Sequence, residues 1–351
     1  MRRTVRLSLA ATAATLLLAL PACSTEQPTT ASQSSGAASS ADSNAQFPIT
    51  IKHALGETTI KQKPERVATV GWSNHEVPLA FGVVPVGISK VTWGDDNGDG
   101  ILPWDEERIK ELGGETPVLF DETDAIPFEQ IADTKPDVIL AAYSGLSQED
   151  YDQLSKIAPV VAYPNKPWTT TTSELISLNA TGLGMQDKAE EFQQEVDAAV
   201  TAAFEKHPNL KGKKVLFSSF GSQNDKSKVG FYTLEDPRAG VLKTIGFGVP
   251  KIVEEETPKA ENFWVERSAE EPEAFEDVDI IISYGSNDAA TNEQTLKELQ
   301  ADPLLSKIPA IRDGHVAFLG EGPVAAAAGG SPAGLIWGAD KYFEIVSKAA
   351  E

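Results

Sequence analysis

Five consecutive residues with chemically useful side chains, Trp72–Glu76, follow the first apolar run of the folded region. They supply an indole, a hydroxyl, an amide, an imidazole and a carboxylate in that order. The run before them, Val67–Val70, predicts a strand buried on both faces, and Gly71 ends it. Ligands of open α/β sheets bind at the carboxyl ends of strands. The sequence therefore predicts a functional site at Trp72–Glu76.

Catalysis is one chemistry that this stretch could support. Gly71 and Ser73 match two fixed positions of the nucleophile elbow, but His75 stands where the closing glycine is required. No phosphate-binding loop, zinc-protease motif or dinucleotide-binding glycine pattern follows a predicted strand. A histidine two residues from a serine is sequence adjacency and does not indicate triad geometry. We therefore expect a binding protein and not an enzyme, with a hydrolase as an alternative.

A second chemical candidate is the acidic stretch Asp95–Glu106, which matches the pattern of a calcium-binding loop. Its candidate ligands are Asp95, Asn97, Asp99, Ile101 and Glu106. Val86–Val91 before it predicts a strand where an EF-hand would have a helix, and Pro103 is unusual in such a loop. A structural calcium ion and a solvated acidic loop therefore both stay open.

Binding of a bare transition metal ion is a further alternative. The chain has one Cys, two Met and four His. The histidines fall in unrelated predicted elements and are His53, His75, His207 and His315. Because a metal centre needs several such ligands at one point, this composition favours other ligands.

Predicted elements alternate between strand and helix, and two segments repeat. Asp137 and Asp279 each open an apolar strand followed by Tyr and Ser, at an offset of 279 − 137 = 142 residues. Leu154 and Leu305 begin a second matched pair, at an offset of 305 − 154 = 151 residues. Two ordered matches predict two similar α/β lobes. Apolar residues at helical spacing over Asp187–His207 predict the helix that connects the lobes, with a ligand cleft between them.

The segments before the first lobe indicate export. A basic start, an apolar run too short to span a bilayer, and Leu20–Cys23 resemble a bacterial lipoprotein signal. A plain secretory signal is the alternative. The polar residues after Cys23, the expected lipidation site, predict a disordered tether. The expected divisions are residues 1–22 (signal peptide), 23–46 (tether), 47–172 (N-terminal lobe), 173–208 (connecting helix) and 209–351 (C-terminal lobe).

Charge excludes some partners. The chain of 351 residues has a formal net charge of −22 at pH 7. Removal of Arg2, Arg3 and Arg6 with the signal would leave −22 − 3 = −25. Such a surface repels nucleic acid and anionic lipid head groups, so membrane attachment is expected only through the lipid.

Three motifs together resemble the iron-siderophore substrate-binding lipoproteins of ABC importers. They are Pro64–Val67 through Gly82–Gly87, Lys135–Ile139, and Asp302–Leu304 through Arg312–Val316. The resemblance covers residues 47–346 and implies two Rossmann-like lobes joined by one long helix. It also implies capture of a ferric siderophore, with haem or cobalamin as alternatives and no cofactor. A surface lipoprotein with a structural role and an empty, polar cleft is a further alternative.

The resemblance, with the need for aromatic walls and a cation around a ferric chelate, selects ten candidate ligand residues. They are Trp72, Ser73, Trp93, Tyr143, Trp168, Phe231, Tyr232, Arg238, Trp264 and Tyr284. Arg238 is the preferred contact for an anionic group, or else it forms an ion pair with Asp236 or Glu235.

In the resembled family, one acidic residue on each lobe docks into the permease. Glu76 matches the first of these residues, and Glu235 or Asp236 the second; a solvated surface carboxylate is the alternative for each. The implied partners are an ABC permease and its ATPase at the outer face of the cell membrane. The lipid-anchored protein is expected to be a monomer.

Overall fold

The computed structural model describes residues 46–219 and 227–351. The expected signal peptide, Cys23 and almost all of the expected tether lie outside the described residues. Within the described ranges, no helix has the length and apolar content needed to cross a membrane.

The first lobe contains a parallel sheet of five strands behind an antiparallel hairpin. The hairpin, predicted from the sequence, consists of β1 (Ile49–His53) and β2 (Gly56–Ile60). The sheet has the order β5–β4–β3–β6–β7. Its strands are β3 (Val67–Thr69), β4 (Gly87–Ser89), β5 (Val118–Phe120), β6 (Val138–Ala141) and β7 (Val160–Ala162). Residues of β3, β6 and β7 are all buried, as the apolar runs predict for strands covered on both faces.

Four helices connect these strands: α1 (Glu76–Ala80), α2 (Pro103–Glu111), α3 (Phe128–Asp133) and α4 (Gln148–Leu154). Two helices then lead out of the lobe. The first, α5 (Thr172–Gly182), begins at a capping box between Thr171 and Glu174. The second, α6 (Ala189–Glu205), is the long helix predicted from the sequence, and it buries Phe192, Val196 and Val200.

The second lobe repeats the parallel arrangement on a smaller scale. In the described residues its parallel sheet has the order β12–β11–β8, beside the antiparallel pair β9–β10. The strands are β8 (Val215–Phe217), β9 (Lys228–Tyr232), β10 (Trp264–Ser268), β11 (Ile280–Ser283) and β12 (Val316–Phe318). The helices are α7 (Pro237–Thr244), α8 (Lys251–Glu256), α9 (Ala289–Ala301), α10 (Pro309–Arg312), α11 (Pro323–Ala327) and α12 (Pro332–Ala349).

Asp137 and Asp279, the two matched aspartates, make equivalent hydrogen bonds in their lobes. The carboxylate of Asp137, just before β6, accepts hydrogen bonds from the backbone N–H groups of Glu65 and Arg66, just before β3. The carboxylate of Asp279, just before β11, accepts a 2.7 Å bond from the N–H of Lys214, just before β8. Each aspartate therefore aligns two neighbouring parallel strands, which supports the predicted internal repeat.

Hydrophobic packing connects the lobes through the helical layer. One cluster of buried side chains includes Leu140 from the first sheet, Phe217 from the second, Val200 from α6 and Phe343 from α12. The described residues accordingly belong to one compact unit. The boundaries expected at residues 172 and 208 stay a prediction, because the core is continuous across them.

Candidate ligand-binding cleft

The cleft floor in the first lobe is built by the turn after β3. The N–H of Trp72 donates to the carbonyl of Tyr143 at 3.1 Å, so the two strand ends lie side by side. Gly71 has φ +76°, and a Cβ there would lie 2.6 Å from the Tyr143 carbonyl oxygen. The buried amide of Asn74 fixes this arrangement, because its Nδ2 donates to Val70 and Tyr143 and its Oδ1 accepts from the N–H of Tyr143. Glycine and Asn74 thus position the predicted ligand residues.

Arg238 lies at the centre of the cleft, at the start of α7. Its Nε donates to the hydroxyl of Tyr284 at 2.7 Å, and its Nη1 donates to Asp236 at 2.8 Å. The same Nη1 lies 3.5 Å from the hydroxyl of Tyr143 in the other lobe. The guanidinium carbon lies 4.5 Å from the ring centroid of Tyr232, a cation–π distance. One arginine thereby brings together three predicted tyrosines from both lobes.

The electrostatics of this cluster keep its phenols neutral and its arginine charged. Burial raises the pKa of Tyr143 and of Tyr232 well above the ordinary value. Burial acts to lower the pKa of Arg238, but the charge of Asp236 outweighs it and the pKa is raised. Asp236, with 0% of its side chain exposed, also caps α7 by accepting from the N–H of Arg238. The cluster therefore offers hydrogen-bond donors whose positive charge is already balanced.

Aromatic rings continue from this centre along both walls. Trp93 meets Tyr284 edge-on across the lobes, with centroids 5.0 Å apart. Tyr143 meets Trp168 at 5.3 Å, and Tyr232 meets Trp264 at 4.9 Å. Six of the ten predicted residues therefore form one connected group around a seventh, Arg238, and Trp72 joins it through the backbone of Tyr143. Ser73 lies in the same turn, with its side chain buried.

A cavity of about 470 Å³ opens beside this group. Its lining joins the first lobe to the second and consists of Pro167, Trp168, Glu261, Asn262, Phe263 and Trp264. The volume lies within the range of about 300–1,000 Å³ that is usual for small-molecule sites. Phe263, which was not predicted, is stacked beside Tyr232 with an interplanar angle of 16°. In the sequence, only its position next to the predicted residue Trp264 indicated that Phe263 could lie at the cleft. A larger cavity of about 650 Å³ between α6 and α7 contains none of the predicted ligand residues.

Lys166 and Glu235 connect the lobes at the edge of the cleft. Lys166 Nζ donates to Glu235 at 3.0 Å and to the carbonyl of Ala260 at 3.1 Å. Lys166 was not predicted, and Glu235 was predicted to face the permease. The structure instead directs the Glu235 carboxylate toward the opposite lobe.

Three further predicted residues have positions that disagree with their expected roles. Phe231 is fully buried in the second-lobe core, where it packs against Phe275, so its ring does not reach the cleft. Glu76 is 1% exposed and accepts hydrogen bonds from Trp104 Nε1 and from the N–H of Ala333. The Asp236 side chain is buried and forms an ion pair with Arg238. Neither carboxylate is available for docking, because each is enclosed by its partners.

Ser73 and His75 do not form a catalytic triad. His75 Nε2 lies 2.9 Å from Asp105, but neither His75 Nδ1 nor Ser73 Oγ has a hydrogen-bond partner in the described residues. The side chains of Ser73, His75 and Asp105 are nearly fully buried, so a substrate cannot contact them in this conformation. The site has the geometry of a binding cleft.

The acidic loop binds its own backbone. Asp95 accepts from the N–H groups of Asn97, Gly98 and Gly100, and these bonds hold its pKa below the usual value although burial acts to raise it. Glu106 is exposed on α2. Within residues 46–219 and 227–351, no three His, Cys, Asp or Glu side chains are placed to hold one metal ion. Calcium binding by this loop stays a prediction, which a melting-temperature titration with Ca²⁺ would test.

The chain is similar to a known family and to individual known proteins. Residues 67–322 match the family described as periplasmic binding protein. The chain is 28% identical over 290 residues to the probable siderophore-binding lipoprotein YfiY of Bacillus subtilis, covering 81% of this chain and 84% of that protein. It is 23% identical over 303 residues to the iron(3+)-hydroxamate-binding protein YxeB of the same organism, covering 86% and 85%.

A solved structure supports the same relationship. The crystal structure of PiaA from Streptococcus pneumoniae TIGR4 in complex with ferrichrome is 44% identical, with a TM-score of 0.79. The match covers 86% of this chain and 98% of that chain.

Proposed function

The chain belongs to the periplasmic binding protein family, and from this membership and the chemistry of the cleft we propose that it captures iron(III)-siderophore complexes for an ABC importer. The observation that carries the proposal is the position of Arg238, held by Asp236 and surrounded by tyrosines from both lobes. Guanidinium and phenol groups donate hydrogen bonds to the oxygens that surround a chelated iron(III) ion. The relative crystallised with ferrichrome supports this ligand class.

The balance of charge at the cleft favours an electroneutral chelate. Arg238 is paired with Asp236, Lys166 is paired with Glu235, and Glu261 adds a negative charge at the cavity. A highly anionic chelate would also approach against the field of the whole chain, whose net charge is −22. Iron(III) with three singly charged hydroxamates has no net charge. Tris-hydroxamate chelates are therefore the proposed ligands.

Quenching of tryptophan fluorescence tests the ligand class. The chain without its signal peptide and most of its tether, residues 46–351, is titrated with ferrichrome, a ferric tris-catecholate, haem and cobalamin. We expect ferrichrome to quench at micromolar concentration or below, because Trp93, Trp168 and Trp264 surround the cleft. Quenching by haem or cobalamin alone would assign the cleft to the alternative ligand, and quenching by none of the four would contradict the proposal.

The proposed location is the outer face of the cell membrane. Cys23 would carry the lipid, and the tether would hold the monomeric module near its permease and ATPase. Two relatives named as lipoproteins support this location. Substituting Cys23→Ser in the expressed precursor tests it, since the protein should then leave the membrane fraction.

Docking to the permease requires exposed carboxylates, and the internal repeat offers a pair. Glu129 lies in α3, 137 − 129 = 8 residues before Asp137, and is exposed. Glu273 lies 279 − 273 = 6 residues before Asp279 and is also exposed. Each segment precedes one of the two matched strands, so each lobe has an exposed carboxylate ahead of its matched strand. Glu129 and Glu273 therefore replace Glu76, Glu235 and Asp236 as the proposed docking residues.

A further inference from the structure

Two cations among the described residues of the cleft are held in different ways. The Arg238 side chain is 21% exposed and its partner Asp236 is 0% exposed. The Lys166 and Glu235 side chains are 39% and 37% exposed. Breaking a buried ion pair leaves an uncompensated charge in the protein interior, whereas a half-exposed pair can exchange its partner for water or for a ligand. Arg238 is therefore fixed, and Lys166 is exchangeable.

Lys166 reaches the second lobe from an anchored loop. Its carbonyl accepts from Thr169 Oγ1 at 2.9 Å, and the next turn is held by the N–H of Trp168 on the Ser144 carbonyl. The ammonium spans the lobes to Glu235 and to the Ala260 carbonyl. Pro167 and Trp168, the two residues after Lys166, line the 470 Å³ cavity together with Glu261. The ammonium therefore lies at the edge of the proposed ligand site.

We infer that Glu235 determines charge specificity, because it neutralises Lys166 and so discriminates against ferric chelates whose peripheral groups are anionic. This inference rests on the proposed function. With Glu235 present, a ligand carboxylate must displace another carboxylate from Lys166. Without it, Lys166 is left with the Ala260 carbonyl alone and can pair with the ligand. The same side chain acts on neutral chelates only through contact, since they bring no charge to compete.

Paired ligands isolate this effect. Ferrichrome and a ferrichrome derivative with a carboxylate on its peptide ring differ in charge but share the iron centre. Fluorescence titration at low salt gives the ratio of their affinities for each variant. In Glu235→Gln, we expect the ratio to move about tenfold toward the carboxylated chelate. Lys166→Met in the same background should abolish that gain, because the freed cation is then absent.

A matched control removes the same charge elsewhere. Glu298→Gln alters an exposed carboxylate of α9 that accepts from Gln294 within the helix, and it should leave the affinity ratio unchanged. Addition of 0.5 M salt, which shortens the Debye length to a value on the order of a few Å, screens the charges. It should therefore reduce the shift in affinity ratio caused by Glu235→Gln.

The outcomes separate this inference from the proposed function. An unchanged ratio in Glu235→Gln, or an equal gain in Glu298→Gln, overturns the specificity role while ferrichrome binding by the parent chain still stands. A gain that survives Lys166→Met also overturns it, because the cation is then not the cause. Failure of the parent chain to bind either chelate rejects the proposed function, and the inference with it.

Discussion

The carboxylate of Glu76, in the first lobe, accepts a 2.7 Å hydrogen bond from the backbone N–H of Ala333, in the first turn of α12 in the second lobe. Its other oxygen accepts from Trp104 Nε1 at 3.0 Å. A carboxylate at the N-terminus of an 18-residue helix interacts favourably with the helix dipole. Glu76 therefore connects the two lobes through a buried hydrogen bond.

This enclosed carboxylate predicts that stability falls as pH rises. Burial, reinforced by the charge of Asp105, raises the pKa of Glu76 to about 7 from an ordinary value of 4.5, although His75 and the Ala333 N–H oppose the rise. Between these values the folded state holds a proton that the unfolded state has lost. Stability is therefore complete below the lower value, declines between the two values by up to about 1.4 kcal/mol per pH unit, and levels off once the pH has passed the higher one.

Urea unfolding at pH 5, 6, 7 and 8 measures this decline. Glu76→Gln should flatten the profile, because the amide does not titrate. His75, bonded to Asp105, contributes in the same direction: burial acts to lower its pKa, but Asp105 outweighs burial and raises it. His75→Gln is therefore the companion variant. A parent profile that rises from pH 5 to pH 8 would contradict the assignment.

Replacement of Arg238 should affect binding and stability separately. Arg238→Met removes the central donor and leaves Asp236 buried without its cation, so we expect loss of most chelate affinity and a cost of roughly 3–5 kcal/mol in unfolding free energy. Adding Asp236→Asn should restore much of the stability without restoring affinity. Arg312→Met, on the exposed surface, is the control and should change neither quantity. Recovery of affinity in the double variant would argue against Arg238 as a ligand contact.

Trp93 offers a test of the aromatic wall with little risk to folding. Its side chain is 36% exposed and meets Tyr284 at the ring edge. We expect Trp93→Ala to weaken ferrichrome binding about tenfold, since the loss of one aromatic contact and its covered area costs about 1–2 kcal/mol. Trp337→Ala removes another exposed indole, which packs on Trp104 away from the predicted ligand residues, and should leave the affinity unchanged.

Substitution of the proposed docking residues Glu129 and Glu273 should impair transport of the chelate without impairing its binding. Glu129→Arg and Glu273→Arg reverse exposed charges, so each should lower iron-chelate uptake by whole cells while fluorescence titration stays the same. Glu344→Arg, on α12, provides a charge-reversal control that should transport normally. If uptake by both docking variants matched the parent, the permease would have to contact other residues.

Patterns of local sequence predicted the strands and the repeat, whereas the family resemblance selected the candidate ligand residues. The runs at β3 and β6 are apolar throughout because both faces of the sheet are covered, and their ends carry Trp72 and Tyr143. Asp137 and Asp279 were matched from sequence because each opens an apolar run followed by Tyr and Ser, and in the structure they align equivalent strand pairs. Secondary-structure elements that are determined by residues adjacent in the sequence were therefore predictable.

Contacts between distant segments were not predictable in the same way. Successive residues of a strand point to opposite faces, and only the fold shows that Phe231 faces the core while Tyr232 faces the cleft. Glu76 was expected on the surface, but a helix that begins at Pro332 encloses it. The pair between Lys166 and Glu235 likewise forms only when the lobes meet.

The hydrophobic cluster shared by both sheets and the intervening helices has a mechanical consequence. Wide separation of the lobes would divide this shared cluster and expose apolar side chains to water, at roughly 1.5–3 kcal/mol for each large residue. Thermal agitation does not supply several such exposures at once. We therefore expect ligand to enter without wide separation of the lobes, and a wider opening during release would need energy from outside the protein.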